Sequence, residues 1–248
     1  NYSQHPKLIA SISQILSLRP KDSHFFMSTV VQSLAKDAAI DFDPSHYLKQ
    51  TFGNWQATEI LTTTKKSTIL KAAPINKDYF QEVAIKIISP DYQVLAGVEN
   101  ITMQAHYLAK LSHPNLVEIK EANVNHEGTP YIVMEYLPGP NIIDYAQAQK
   151  LSLTARLTLF NNVCACLAHI HKQKVIHADL KPDNILLDNH GIVKVIDLDL
   201  SFTTDSNFHD NYNFRNISGY TKQYASPEQL IAPREITTQT DIYSLGCI

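Results

Sequence analysis

The sequence predicts an α+β fold in which a small antiparallel sheet with one inserted helix is followed by a mainly helical part. A helical extension precedes both. Two changes in the hydrophobic pattern of the 248 residues support this division. Apolar residues recur at helical spacing up to about residue 50, short β-branched runs begin at Trp55, and helical spacing returns after Pro138. We therefore expect three segments, over residues 1–50, 51–137 and 138–248.

Two apolar stripes in the first segment are typical of amphipathic helices. They cover residues 8–16 and 25–38, and Pro20 separates them because proline stops a helix. A short further turn is expected to open at Pro44. The stripes fit two interpretations: helices that dock on the rest of the chain, or a separate module that binds a partner.

Five short runs rich in β-branched residues predict a five-stranded antiparallel sheet in the second segment. A helix over about residues 91–111 is expected between the third run and the fourth. The runs are WQATEIL, STILKAA, EVAIKII, LVEIKEANVN and TPYIVMEYL.

In the third segment we predict helices over residues 142–148 and 154–172, and then a strand over 192–196. A last helix begins in TDIYSLGCI, where the sequence stops, so we expect this segment to be incomplete. The positions expected to face the core from the longer helix are Leu157, Phe160, Val163, Leu167 and Ile170.

Composition excludes several classes of partner and site. A net charge of −3 and a pI near 6.4 argue against nucleic acid or an anionic membrane as a partner chosen by bulk charge. No apolar run is long enough to cross a bilayer. Cys164, Cys166 and Cys247 lack the spacing of a disulfide framework, which indicates a reducing, cytoplasmic compartment. We interpret Cys164 and Cys166 as small core residues and assign no zinc site.

Five polar residues form a pattern that suits phosphate chemistry. Asp179, Lys181 and Asn184 lie on a loop between a helix and a strand, and Asp197 ends the next apolar strand. An asparagine and an aspartate at the ends of adjacent strands can bind Mg²⁺, which prefers oxygen ligands. A separate carboxylate can orient a hydroxyl nucleophile, and a lysine can neutralise a moving phosphoryl group. Lys86 lies in an apolar strand, where it is costly unless it meets an anion.

From about Trp55 onwards the chain resembles a eukaryotic-type Ser/Thr protein kinase domain, because several motifs of that family occur in order. They are VAIK, SHPNLV, VMEYL, HADLKPDN, DLD, SPE and DIYSLG. The resemblance implies a bilobal protein kinase fold with an N-lobe over residues 51–137 and a truncated C-lobe over 138–248. It also implies ATP and Mg²⁺ as cofactors and a protein as substrate.

The same resemblance assigns roles to individual residues. Asp179 would be the catalytic base, with Lys181 and Lys86 on the phosphates, and Asn184 and Asp197 as metal ligands. Thr221 would position the substrate, while Gln104, Asp241 and Glu228 would be structural, with Glu228 paired to an arginine beyond the end of the sequence. Nucleotide contacts are implied at Lys86, Thr62, Thr64, Lys65, Ser67, Ile69, Ala84, Glu135, Leu137 and Leu186, and Met134 would be the gatekeeper beside the hinge.

Two residues indicate the substrate class. Lys181, two positions after the aspartate, resembles the Ser/Thr kinases, and Thr221 matches the threonine that bonds the catalytic aspartate and lysine in that group. Both residues could instead be ordinary polar residues of loops.

The chain departs from the family pattern at four places. Thr62, Thr64 and Ser67 replace the three glycines of the phosphate-binding loop. The tip of this loop carries Lys65 and Lys66. These two lysines either lie over the phosphates or form a solvated hairpin tip. Gln104 stands where the family has a glutamate for Lys86. The other two departures are Ala178, in place of the arginine before the catalytic aspartate, and Leu198-Asp199, in place of Phe-Gly.

These departures keep two other functions in view: a pseudokinase scaffold without catalysis, and a small-molecule phosphotransferase, which also carries a small residue before the aspartate. The SPE segment and Thr221 count against the second. Seventeen lysines against four arginines also suggest an AT-rich genome, such as that of an intracellular bacterium that secretes a kinase into its host cell.

Overall fold

The computed structural model describes residues 43–76, 81–90, 92–93, 98–198, 202–203, 220–231 and 236–248. Both apolar stripes predicted before residue 40 lie outside these residues, so their helices stay a prediction. The turn expected at Pro44 is a 3₁₀ turn over Pro44–Tyr47. It is capped by Asp43, whose carboxylate accepts a hydrogen bond of 2.9 Å from the Ser45 N–H.

An antiparallel sheet follows, and it has six strands instead of the predicted five. The strands lie in the order β1-β2-β3-β4-β6-β5. The additional strand, β1, has only two residues and pairs with β2 across a tight turn at Gly53, where φ is +57°. Two residues are too few to form a hydrophobic period, so a sequence pattern cannot reveal such a strand. The strands are β1 Thr51–Phe52, β2 Trp55–Thr63, β3 Ser67–Pro74, β4 Val83–Ile88, β5 Ile119–Val124 and β6 Pro130–Glu135.

The helix inserted between β4 and β5 is α1, over Val98–Leu108. The prediction placed its end three residues too late, because Lys110 and Leu111 donate their N–H groups to carbonyls only three positions back, at 3.1 and 3.0 Å. Leu108 is buried in the main core, and Tyr107 and Leu111 pack against it. The helix also contacts the sheet through a 3.0 Å hydrogen bond between the His106 ring and the Ala122 carbonyl.

The third segment is mainly helical, as predicted. Both of its first helices are confirmed, and each begins after a polar cap, Asn141 or Ser152, whose side-chain oxygen accepts backbone N–H groups. The strand predicted over 192–196 is present but shorter. The elements are α2 Ile142–Ala148, α3 Leu153–Lys172, β7 Val175–Ile176, β8 Ile185–Leu187, β9 Val193–Val195, β10 Phe202–Thr203, α4 Pro227–Ile231 and α5 Thr238–Gly246.

The buried face of α3 differs in part from the prediction. Val163, Leu167 and Ile170 are buried as expected, but Leu157 and Phe160 are 57% and 38% exposed. Two apolar stripes run along this helix, and the one that faces the core includes Leu159 and Cys166. Cys166 therefore fills the core as predicted, and burial raises the pKa of its thiol to about 12.

Within the described ranges, no helix is long and apolar enough to cross a membrane.

Candidate active site

A loop between β7 and β8 holds the predicted catalytic aspartate in a network of hydrogen bonds. The Lys181 ammonium donates to one carboxylate oxygen of Asp179 at 3.1 Å, and the Thr221 N–H donates to the other at 2.9 Å. The same ammonium lies 3.1 Å from the Thr221 hydroxyl. Three residues separated by up to 42 positions are thus brought together, which fixes the direction in which the carboxylate faces.

Asn184 lies at the end of the same loop, buried in a 3₁₀ turn over Pro182–Asn184. Its side-chain amide nitrogen donates to the backbone carbonyl of Asp179 at 2.8 Å. Its backbone carbonyl accepts the Ile196 N–H at 3.0 Å. Because the amide nitrogen is committed to the loop, the amide oxygen is the atom that could bind a cation.

Asp197 follows β9 and pairs with Lys86 of β4 across 2.6 Å. Lys86 is buried, and a buried lysine is costly unless an anion lies beside it. Asp197 is that anion. Burial alone would raise the pKa of the Asp197 carboxyl, but the charge and hydrogen bond of Lys86 outweigh it, and this pKa lies below its ordinary value. Asp197 is therefore ionised at neutral pH, with one oxygen on Lys86 and a second that could bind a metal.

Asp241 of α5 supports the loop that carries Asp179. It is fully buried, and its carboxylate accepts the N–H groups of Ala178 at 2.8 Å and His177 at 2.9 Å, together with a 2.7 Å contact from the His171 ring. Ala178 has a φ of +64°, which L residues rarely adopt. The carboxylate thus holds the loop in an unusual backbone conformation just before Asp179.

The segment around α4 is connected to this loop by a residue that the sequence did not single out. Gln229 is buried, and its amide nitrogen donates to the Ala178 carbonyl at 2.7 Å while its amide oxygen accepts the Ser226 N–H at 3.0 Å. Glu228 accepts a 2.7 Å hydrogen bond from the Thr240 hydroxyl, which lowers its pKa. The arginine expected to pair with Glu228 was placed outside this sequence, so that expectation stays a prediction.

Three of the residues that we predicted to contact the nucleotide, Ile69, Ala84 and Glu135, lie on the neighbouring strands β3, β4 and β6. Ala84 lies opposite Met134 in the β4–β6 register, and Ile69 lies opposite Lys86 in the β3–β4 register. The Glu135 carboxylate accepts hydrogen bonds of 2.8 Å from both the Lys194 ammonium and the Glu118 N–H, so its side chain is held by contacts within the protein. Leu137 and Leu186 are both half-buried.

The remaining predicted site residues lie on the hairpin and on α1. Thr62, Thr64 and Lys65 are exposed near the tip of the β2–β3 hairpin, whereas Ser67 is buried. Gln104 lies half-buried on α1. Asp199 lies outside the described residues.

Two oxygen-bearing side chains, Asn184 and Asp197, fit a hard cation such as Mg²⁺. Zinc would need a different donor set. No group of three or more His, Cys, Asp or Glu side chains that could hold a metal occurs within the residues that the structure describes.

Three functional candidates escaped the sequence analysis: His171, Gln229 and Ser89. His171 and Gln229 act on residues 70 and 51 positions away, and Ser89 bonds two backbone carbonyls of the hairpin. Contacts of this kind leave no signal in residue spacing. In the sequence, Gln229 and Ser89 are marked only by their positions close to the SPE and VAIK motifs.

Comparison with known proteins agrees with this geometry. The family model of the protein kinase domain matches residues 59–248. The chain is 30% identical over 202 residues to the serine/threonine-protein kinase PrkC of Bacillus subtilis, covering 81% of this chain and 30% of that protein.

Relatives from eukaryotes are similar at the same level. Identity is 30% over 170 residues to the carbon catabolite-derepressing protein kinase of Saccharomyces cerevisiae, covering 68% of this chain and 26% of the relative. It is 31% over 169 residues to the CBL-interacting serine/threonine-protein kinase 12 of Arabidopsis thaliana, covering 68% and 34%. The chain thus spans about a third or less of the length of these relatives.

Proposed function

The chain belongs to the protein kinase domain family, with Ser/Thr kinases as its relatives, and we propose that it transfers the γ-phosphate of ATP to serine or threonine hydroxyls of protein substrates. One observation carries the proposal: the Asp179 carboxylate is held jointly by Lys181 and Thr221. Phosphoryl transfer to a hydroxyl requires a carboxylate held towards the incoming oxygen, and this network supports that role for Asp179.

Asp179 orients the attacking hydroxyl and accepts its proton as the new oxygen–phosphorus bond forms and the bond between the γ-phosphorus and ADP, the leaving group, breaks. Lys181 contacts both the carboxylate and Thr221, so its charge would stabilise negative charge on the γ-phosphoryl group during its transfer. Because the carboxylate oxygens are held from two sides, the substrate oxygen meets a base that needs little reorganisation.

Asn184 and Asp197 fit Mg²⁺ through the amide oxygen of one and the carboxylate of the other. When bound, the metal neutralises charge on the β- and γ-phosphates. Lys86 keeps Asp197 ionised, and it would also bind the phosphates. Ile69, Ala84 and Leu186 would enclose the adenine, and the backbone of Glu135 to Leu137 would provide its polar contacts.

Departures from the family pattern favour two alternatives. The replaced glycines and Gln104 favour a scaffold that binds a partner or a nucleotide without catalysis. Ala178 before the catalytic aspartate is shared with small-molecule phosphotransferases, but the contact between Thr221 and Asp179 supports a segment that docks a peptide.

The test is transfer of labelled phosphate from ATP with Mg²⁺ to a generic basic protein, and separately to choline and aminoglycosides. Asp179→Ala should reduce transfer to the protein to below roughly a tenth while ATP binding persists. Asp183→Ala is the matched control, since Asp183 is an exposed aspartate in the same loop. Label only on the small molecules, or on nothing, would contradict the proposal.

A further inference from the structure

The tip of the β2–β3 hairpin is closed by its own hydrogen bonds. The Thr64 N–H donates to the Ser67 carbonyl at 2.9 Å. The Thr64 hydroxyl oxygen accepts the N–H groups of Lys66 and Ser67, both at 3.2 Å. In a glycine-rich loop, backbone N–H groups of this kind face the phosphates. Here the N–H groups of residues 66 and 67 are used within the turn.

Ser89 fastens this tip to the end of β4. Its hydroxyl donates to the Lys65 carbonyl at 2.7 Å, and its N–H donates to the Lys66 carbonyl at 2.8 Å. Ser89 is buried and lies three positions after Lys86 on the same chain segment. The position of the tip is therefore set relative to the strand that carries Lys86.

The two lysines of the tip differ in their surroundings. Lys65 is exposed, whereas Lys66 is half-buried. Burial lowers the pKa of Lys66, while Asp179 and Asp197 act to raise it and Lys86 and Lys181 act to lower it. The Lys66 side chain thus lies within electrostatic range of both carboxylates and both lysines of the candidate site. A phosphate bound between these groups would therefore lie within reach of the Lys66 ammonium.

We propose that Lys66 is a further phosphate-binding residue of the nucleotide site. In a glycine-rich loop, backbone N–H groups bind the phosphates, and here the ammonium group of Lys66 takes over that task. A lysine is a usual phosphate ligand, acting as a point charge. The Thr64 turn and the two Ser89 hydrogen bonds place its backbone. This assignment rests on the proposed function, because it needs a nucleotide triphosphate in the site.

The test is calorimetric titration of the chain with ATP and Mg²⁺, and separately with adenosine, which lacks phosphates. Lys66→Met should weaken ATP binding about tenfold or more and leave adenosine binding unchanged, since only the charge is removed. Lys65→Met should cause a smaller loss. Lys71→Met is the matched control, because Lys71 lies in the same hairpin and pairs with Glu82.

A second measurement separates phosphate binding from a structural role. The hydrogen bonds of Thr64 and Ser89 hold the tip of the hairpin without the Lys66 side chain, so nucleotide-free Lys66→Met should melt close to the wild-type temperature. Lys66→Arg keeps the charge and should retain ATP affinity within about threefold.

The outcomes distinguish the two levels of inference. Wild-type affinity for ATP in Lys66→Met, or an equal loss for ATP and adenosine, would overturn the role of Lys66 and leave the proposed function intact. A wild-type chain that binds no ATP would overturn both.

Discussion

Replacement of Asp241 by alanine should destabilise the fold through the catalytic loop. The carboxylate is fully buried and accepts three hydrogen bonds, two of them from the N–H groups of His177 and Ala178. Both of these residues are themselves buried, at 0% and 3% exposure, so water cannot easily replace the lost acceptor. Alanine therefore leaves two buried backbone donors without this partner.

The size of the effect follows from those two donors. A buried donor that loses its partner costs about 1–3 kcal/mol, so the pair costs about 2–6 kcal/mol. The free energy of unfolding of a typical domain is about 5–15 kcal/mol. Ala178 has a φ of +64°, and relaxation of this conformation would return about 1–2 kcal/mol. We therefore expect the free energy of unfolding to fall by an amount in the lower half of the range of about 2–6 kcal/mol. Asp179 should be displaced as well.

The assay is urea-induced unfolding followed by circular dichroism, together with phosphate transfer. Ile242→Ala is the control, because Ile242 is the next residue on α5 and is 57% exposed. Asp241→Asn should fall between wild type and Asp241→Ala, since an amide keeps one acceptor oxygen and places an NH₂ group against the second N–H. A loss below about 1 kcal/mol for Asp241→Ala would refute this account of the loop.

Three further predictions concern charge at the site. Because Ala178 stands where the family has a phosphate-binding arginine, replacing four activation-segment hydroxyls by alanine should change the transfer rate less than about tenfold. Those residues are Ser201, Thr203, Thr204 and Ser218. Asp197 has a lowered pKa, so it contributes stability above about pH 4 that is lost as pH falls through its folded value. In Asp197→Asn the free energy of unfolding should accordingly depend less on pH in the acid range, as measured by unfolding at a series of pH values. Gln104→Glu should raise turnover or leave it unchanged, because it adds a charge for Lys86, and loss of activity in a folded variant would contradict the assignment of Gln104.

The elements that were predicted most accurately are those in which the capping residue and the hydrophobic period indicate the same structure. Helix α2 has the predicted bounds because Asn141 caps its start and its apolar residues follow the helical period. Strands of two or three residues were missed or misjudged in length, since they exist through pairing with distant residues: β10 pairs with β7 across more than twenty positions. For α3, two apolar stripes were present, and only the packing of the whole lobe decides which one is buried.

The candidate site divides in the same way. Residue type and spacing were enough to group Asp179 with Lys181, and the resemblance to the kinase family added Thr221. The supports of the site could not be predicted, since Gln229 bonds a backbone carbonyl and Ser89 bonds two of them. Any residue may offer a carbonyl, so such contacts depend on the fold and not on the motif.

The departures from the family pattern share an electrostatic consequence. On the proposal above, the ammonium groups of Lys66, Lys86 and Lys181 lie around Asp179 and Asp197. Gln104 brings no negative charge to the position where the family has a glutamate. Positive side-chain charge in a partly buried site favours a polyanion such as a nucleotide triphosphate. The loss of the glycines, the added lysine and the neutral residue at 104 therefore act in one direction: phosphate binding by side-chain charge in place of backbone N–H groups.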